Sequence, residues 1–273
     1  MKFLRRHWYN VGFFVAIISS VALLHVWGDI SVLQRLLVLN FIVMQLHQFE
    51  EYAFPGGLPA AMNILQQKSA DPRRWLLNQN ATFWGCTITV YVFYFLPIFY
   101  PDQIWFGLGG ALIGLSQILV HLPLLFRLRY WYAMGNVSVF LGHVPVGIYY
   151  IWYVTANGLV APADWWIGAG IALFTGVGLV GVLGYKLLTD RNSPYPYDDE
   201  EVYKPWVMKR IAILQAAENS NFDPRNEKAG RNTAYYSIKT NRRHLGPLNS
   251  LGKFRRANHA PTLLPAAVAY LFC

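Results

Sequence analysis

Ile104–Phe126 reads IWFGLGGALIGLSQILVHLPLLF, a run without a single charged side chain. As an α-helix it rises ~1.5 Å per residue, long enough to cross a hydrocarbon layer of about 30 Å. Five more stretches read the same way: 11–28, 30–49, 83–100, 134–155 and 166–188. Each approaches the ~20 apolar residues a spanning helix needs. Pro97, Pro123 and Pro145 fall inside three of the six, which membrane helices tolerate better than soluble ones. Composition agrees, with 55% of the residues hydrophobic and 14% charged, where soluble domains carry about 25% charged. Ten Trp and seventeen Tyr suit a chain with two membrane–water interfaces. The expected fold class is therefore all-α, a polytopic membrane helix bundle of about six transmembrane helices with a largely irregular cytoplasmic C-terminal tail.

Orientation follows from the loops. Lys2, Arg5, Arg6, Lys68, Arg73, Arg74, Arg127, Arg129, Lys186 and Arg191 all fall on one side, whereas the alternate loops carry Asp29, Asp102 and Asp164. Under the positive-inside rule, both termini are cytoplasmic. Lys2, Arg5 and Arg6 also resemble the start of a signal peptide, but the apolar run continues to Trp27, which favours retention. The expected division is a six-helix membrane domain over 1–190 and a basic cytoplasmic tail over 191–273, mostly disordered or loosely packed, with one short helix near Val202–Ala217. Its closing stretch LPAAVAYLFC is apolar but too short to span. The net charge of +9 sits mostly in this tail and the basic loops, so anionic lipid headgroups are the expected partner, and no nucleic acid is.

Two cysteines, Cys86 and Cys273, offer neither a disulfide framework nor a thiolate metal site. Any metal would need His and carboxylate ligands. The stretch Leu46–Gly57, LHQFEEYAFPGG, supplies them at the end of the second span. Residues three and four apart share a helix face, so His47 can converge with Glu50 or Glu51. The spacing is a zinc-binding H-E-x-x-H helix run backwards, with Glu in place of the second His. By that analogy His47 and Glu51 are ligands, and Glu50 is the base that takes a proton from water. The plainer account is a histidine at a helix C-terminus, where positive charge is welcome, beside two interfacial glutamates.

His121 and His143 add weight, because the orientation above brings both to the same half of the membrane as His47. Polar companions stand at helical spacing from the three: Asn40, Gln117 and Asn136. A polar group in hydrocarbon must find a partner, and ionisable residues inside spans are functional candidates by default. Interhelical hydrogen bonding is the competing explanation, worth ~0.6 kcal/mol per pair.

His47, Glu50 and Glu51, with the later intramembrane histidines and the stretch VPVGIYYIWY (144–153), resemble the bacterial integral membrane proteins named for an HxxEE motif. The resemblance covers about residues 10–197 and implies an inner-membrane protein of unassigned biochemistry whose His and Glu residues form an active or metal site. The family often has a Pro-Gly step after the fourth span, where this chain has YAMGNV (132–137). The expectation is a metal-dependent, hydrolytic membrane enzyme acting on a lipid or another membrane-proximal substrate. His47, Glu51, His121 and His143 would hold zinc, iron or manganese, with Glu50 catalytic. The alternative is a transporter or a proton- or ion-coupled carrier using the same buried groups.

Overall fold

A computed structural model describes residues 1–219. Six helices in it are long and apolar enough to cross a membrane: Lys2–His25, Val32–Tyr52, Gln79–Phe99, Ile104–Leu128, Asn136–Ala156 and Pro162–Leu187. The chain is a multi-pass membrane helix bundle, and no strand occurs among the described residues. Several helix starts are dictated locally. Ser31 caps the second span, its hydroxyl accepting from Gln34 N at 3.1 Å, which satisfies one of the amides a helix start leaves bare. Asn78 does the same for the third, its Oδ1 accepting from the Asn80 and Ala81 amides at 3.0 Å.

Three spans are wound wider than an α-helix, over Tyr91–Phe95, Val139–His143 and Phe174–Leu187. Such segments shift the side-chain register and recur at functional sites. The fourth span breaks at Gln117, between Ile104–Ser116 and Ile118–Leu128. Small residues bring the fourth and sixth spans together. A Cβ on Gly168 would stand 2.8 Å from the Leu108 Cβ, and one on Gly109 2.8 Å from Ile171 Cγ2. Gly168 of the sixth span thus serves internal packing, while Gly170 meets nothing within 4 Å.

The boundary expected at residue 190 is not where the packed structure ends. Tyr197, Val202, Val207 and Ile211 are at most 1% exposed and share one core cluster with Tyr52, Leu128 and Met134 from the bundle. The acidic cluster 198–201 forms the short helix Asp199–Val202. Its Glu201 is buried and accepts from Tyr9 Oη at 2.9 Å and Gln79 Nε2 at 2.8 Å. Tyr197 exchanges two hydrogen bonds with Arg73: its amide donates to the Arg73 carbonyl, and the Arg73 side-chain Nε donates to its carbonyl, each at 2.8 Å. NSPYPY (192–197), a breaker by composition, is irregular in the fold as expected, and long-range partners hold it against the bundle. The short helix expected near 202–217 is Pro205–Asn219. The remainder of the expected tail, with LPAAVAYLFC, lies outside the described residues.

This C-terminal segment braces the end of the second span. Lys204 Nζ donates to the Ala53 carbonyl at 2.9 Å, and Trp206 Nε1 to those of Pro55 and Gly56 at 3.2 Å. The turn itself needs glycine. Gly57 has φ +113°, and a Cβ there would also meet Val207 Cγ1 at 3.0 Å.

Candidate metal centre

The end of the second span places His47 and Glu51 on one face, one turn apart. His121 reaches them from the fourth span, just past the break at Gln117. His47 Nε2 lies 3.5 Å from Glu51 Oε1, and His121 Nε2 lies 3.3 Å from the same oxygen. The three groups are buried and can present one ligand atom each within 4.8 Å of one another. The imidazoles meet edge to face, with ring centroids 4.9 Å apart.

The outer hydrogen bonds fix which nitrogens carry protons. His121 Nδ1 lies 2.7 Å from the Met134 carbonyl. A carbonyl only accepts, so Nδ1 is the N–H and, in the neutral ring, Nε2 keeps its lone pair. His47 Nδ1 lies 2.9 Å from Ser138 Oγ, which itself donates to Glu50 Oε2 at 2.5 Å. A carboxylate is likewise acceptor-only, so the serine proton goes to Glu50 and Ser138 Oγ receives the His47 Nδ1–H. When both rings are neutral, two lone pairs and a carboxylate oxygen therefore converge. Acceptors converging in a dry interior repel one another unless a positive charge joins them. Histidine ligands of metals are characteristically held by such partners on the far nitrogen.

Glu50 does not match the role expected for it as a base beside these ligands. It accepts from Tyr132 Oη at 3.1 Å, Val137 N at 3.0 Å, Ser138 N at 2.8 Å and Ser138 Oγ. Both its oxygens are taken. The carboxylate anchors the first turn of the fifth span, where helix-start amides favour negative charge, and it lines a recess of ≈ 780 Å³ among Leu46, Trp131, Leu141 and Trp206. Glu51 and His47 line a different, small cavity of ≈ 50 Å³. Burial first, and then the Glu50 charge, push the Tyr132 phenol up, so it stays a donor.

The other expected residues divide. His143 meets His47 edge to face with ring centroids 5.2 Å apart, outside the three-ligand set, and neither of its nitrogens has a hydrogen-bond partner. Gln117 lines the small cavity with an unpartnered Oε1. Asn40 is two turns before His47 on the second span, against Gly110, with its Oδ1 unpartnered. Asn136 is buried at the start of the fifth span, and its Oδ1 also lacks a partner.

Sequence reasoning missed Gly135, Ser138, Met134 and Tyr132. Gly135 has φ +85°, and a Cβ on it would lie 2.3 Å from His121 Cε1 and 2.9 Å from His47 Cε1. It stands where the two imidazoles leave no room for a side chain. A glycine in the first turn of the expected span 134–155 was the available signal; nothing marked Ser138 or Met134.

No curated protein and no solved structure matches the chain. Residues 38–150 match a family described as a protein of unknown function with HXXEE motif. That segment begins just ahead of Asn40 and encloses His47, Glu50, Glu51, His121, Gly135, Ser138 and His143. The similarity to the HXXEE-motif family thus spans the residues of the candidate site.

Proposed function

We propose that the chain is a membrane-embedded metalloenzyme in which His47, His121 and Glu51 hold one divalent cation, acting hydrolytically on a lipid or another membrane-proximal substrate. The observation that carries this reading is the convergence of two imidazole lone pairs and one carboxylate oxygen, with the protonated nitrogens turned away to Ser138 and Met134. Two imidazoles and a carboxylate suit zinc, iron or manganese. Three protein ligands also leave a coordination position open, the pattern of catalytic rather than closed structural sites. A metal bound there supplies a Lewis acid that polarises a carbonyl or phosphoryl oxygen.

The chain's own groups have definable parts. Gln117 Oε1 and Thr175 Oγ1 have no partner and line the cavity beside Glu51, so they are placed to hold a polar atom of the substrate. The cavity's ≈ 50 Å³ admits a few waters or the reacting end of a larger molecule. Glu50 acts through Ser138 as a positioning residue for His47. His143, with both nitrogens unengaged beside His47, is placed to complete the ligand set or to carry a proton. The basic loops lie at the end of the bundle that carries the site, so the positive-inside rule puts it at the cytoplasmic side.

A carrier is the second reading, favoured by one observation. Beyond His143, buried groups with unpartnered atoms continue inward at Tyr94, whose ring is 6.2 Å from that of His143, and at Asn40. Uptake of a solute or protons into proteoliposomes, abolished by Asn40→Ala, would favour it.

The deciding experiment is elemental analysis of detergent-purified protein, wild type beside Glu51→Gln and His121→Ala. About one equivalent of metal in the wild type, lost in both variants, is the expected result. Wild-type protein that stays metal-free after incubation with zinc, iron and manganese overturns the metalloenzyme.

A further inference from the structure

The end of the bundle that carries the site also carries a basic recess unrelated to the histidines. Lys68, Arg127 and Arg129 line a cavity of ≈ 610 Å³ together with Gln215 and Leu214 of the helix Pro205–Asn219 and with Phe126 of the fourth span. Three other arginines in this part of the fold are paired: Arg6 with Asp198, Arg73 with Asp199 at 3.2 Å, and Arg74 with Asp71 at 3.0 Å. Among the described residues, no carboxylate pairs with Lys68, Arg127 or Arg129; Arg127 donates only to the Leu65 carbonyl, at 3.3 Å. Arg210 adds a further cation at the same helix end, donating to the carbonyls of Leu128 and Arg129.

The backbone gives a second, independent observation. Lys68 and Arg129, each with φ +48°, are the two non-glycine residues with positive φ among those described. Both follow the end of a helical segment, where glycine or asparagine is the usual choice. A residue with a Cβ is strained in that conformation. Cations thus occupy both positions at which the chain would gain from glycine, and the two side chains flank one recess. Like charges gathered without acids favour a site that receives an anion.

What lies beside the cations indicates which anion. Phe126 is 70% exposed on the outer face of a spanning helix, so the recess opens along the boundary between hydrocarbon and headgroups. Leu214 is buried and provides an apolar wall. Basic pockets between helices at this level recognise anionic lipid headgroups. We propose that Lys68, Arg127 and Arg129 bind the phosphate of an anionic lipid, with its acyl chains running past Phe126 and Gln215 supplying a neutral hydrogen-bonding group. This site is separate from the metal centre and stands or falls without it.

Full-length protein in a mild nonionic detergent is titrated with dioctanoyl phosphatidic acid, and the thermal unfolding midpoint is followed. Dioctanoyl phosphatidylcholine and inorganic phosphate are run alongside. The expected result is a saturable upward shift with phosphatidic acid that neither comparison reproduces. Combining Lys68→Gln, Arg127→Gln and Arg129→Gln should weaken the apparent affinity at least tenfold. Arg127→Gln alone, at an exposed side chain, should weaken it severalfold and serves if the combined variant fails to fold. Unchanged affinity in these variants overturns the proposal. So does an equal shift with phosphatidylcholine, which means that any lipid serves, or with inorganic phosphate, which makes the ligand a soluble phosphate.

Discussion

Glu50 and Glu51 are neighbours in sequence, equally buried and chemically identical, yet they meet opposite environments. Glu51 faces the Nε2 atoms of two imidazoles, whereas Glu50 receives hydrogen bonds from a phenol, two amides and a hydroxyl. Consecutive helical residues point ~100° apart, so one step along the chain moves a carboxylate from the histidine cluster to the start of the fifth span. The contrast teaches that a paired-carboxylate motif divides its labour. One carboxylate is left short of donors, as a cation ligand should be, and its neighbour is saturated, as a structural anchor should be. The link between them is His47, bonded to Glu50's partner Ser138 on one nitrogen and facing Glu51 with the other.

Exchanging the two carboxylates for amides is the sharpest way to break this comparison. Glu51→Gln should reduce bound metal from about one equivalent to near zero, while Glu50→Gln should keep the metal with an affinity lowered ~10–100-fold, the usual effect of removing an outer-shell partner. Metal competition with a fluorescent chelator reads both. If Glu50→Gln empties the site and Glu51→Gln does not, the assignment is reversed.

Gly135→Ala comes next. It places a Cβ between His121 and His47 at a positive φ, and strain plus displacement should cost about 2–3 kcal/mol of stability. Chemical denaturation in detergent measures it, and a wild-type midpoint would show that the two rings are not held as described. The smallest effect is expected for Ser138→Ala. Losing the hydroxyl between Glu50 and His47 should cost about 1 kcal/mol and no more than about tenfold in metal affinity. The same chelator assay applies, and a loss as large as that of Glu51→Gln would make Ser138 more than a positioning residue.

Much of this was legible in the chain. Six apolar stretches gave six helices, because hydrocarbon forces each crossing segment to satisfy its own backbone; ends shifted by several residues where Ser31 and Asn78 cap and where loops fold back. His47 with Glu51 was readable because i and i+4 share a helix face. His121 followed only from counting its depth along a different span. The role of Glu50 was not readable, since its partners Tyr132, Val137 and Ser138 are more than eighty residues away and carry no local pattern. The packing of residues 192–217 was unreadable for the same reason, although their short helix was expected. Their Pro, Asn and acidic residues look like tail by composition, and only the contacts of Tyr197, Val202 and Val207 make them core.

The sequence by itself determined that this chain crosses a membrane as helices, and that one helix end carries an imidazole and a carboxylate one turn apart. Hydropathy and helical period are local properties, set by the residues along a single element. Tertiary structure alone decided which nitrogen of each histidine is bare, which glutamate is anchored, and that the segment after the sixth span closes the bundle. Those outcomes depend on which donor stands opposite each acceptor when distant elements pack, and no single helix contains that information.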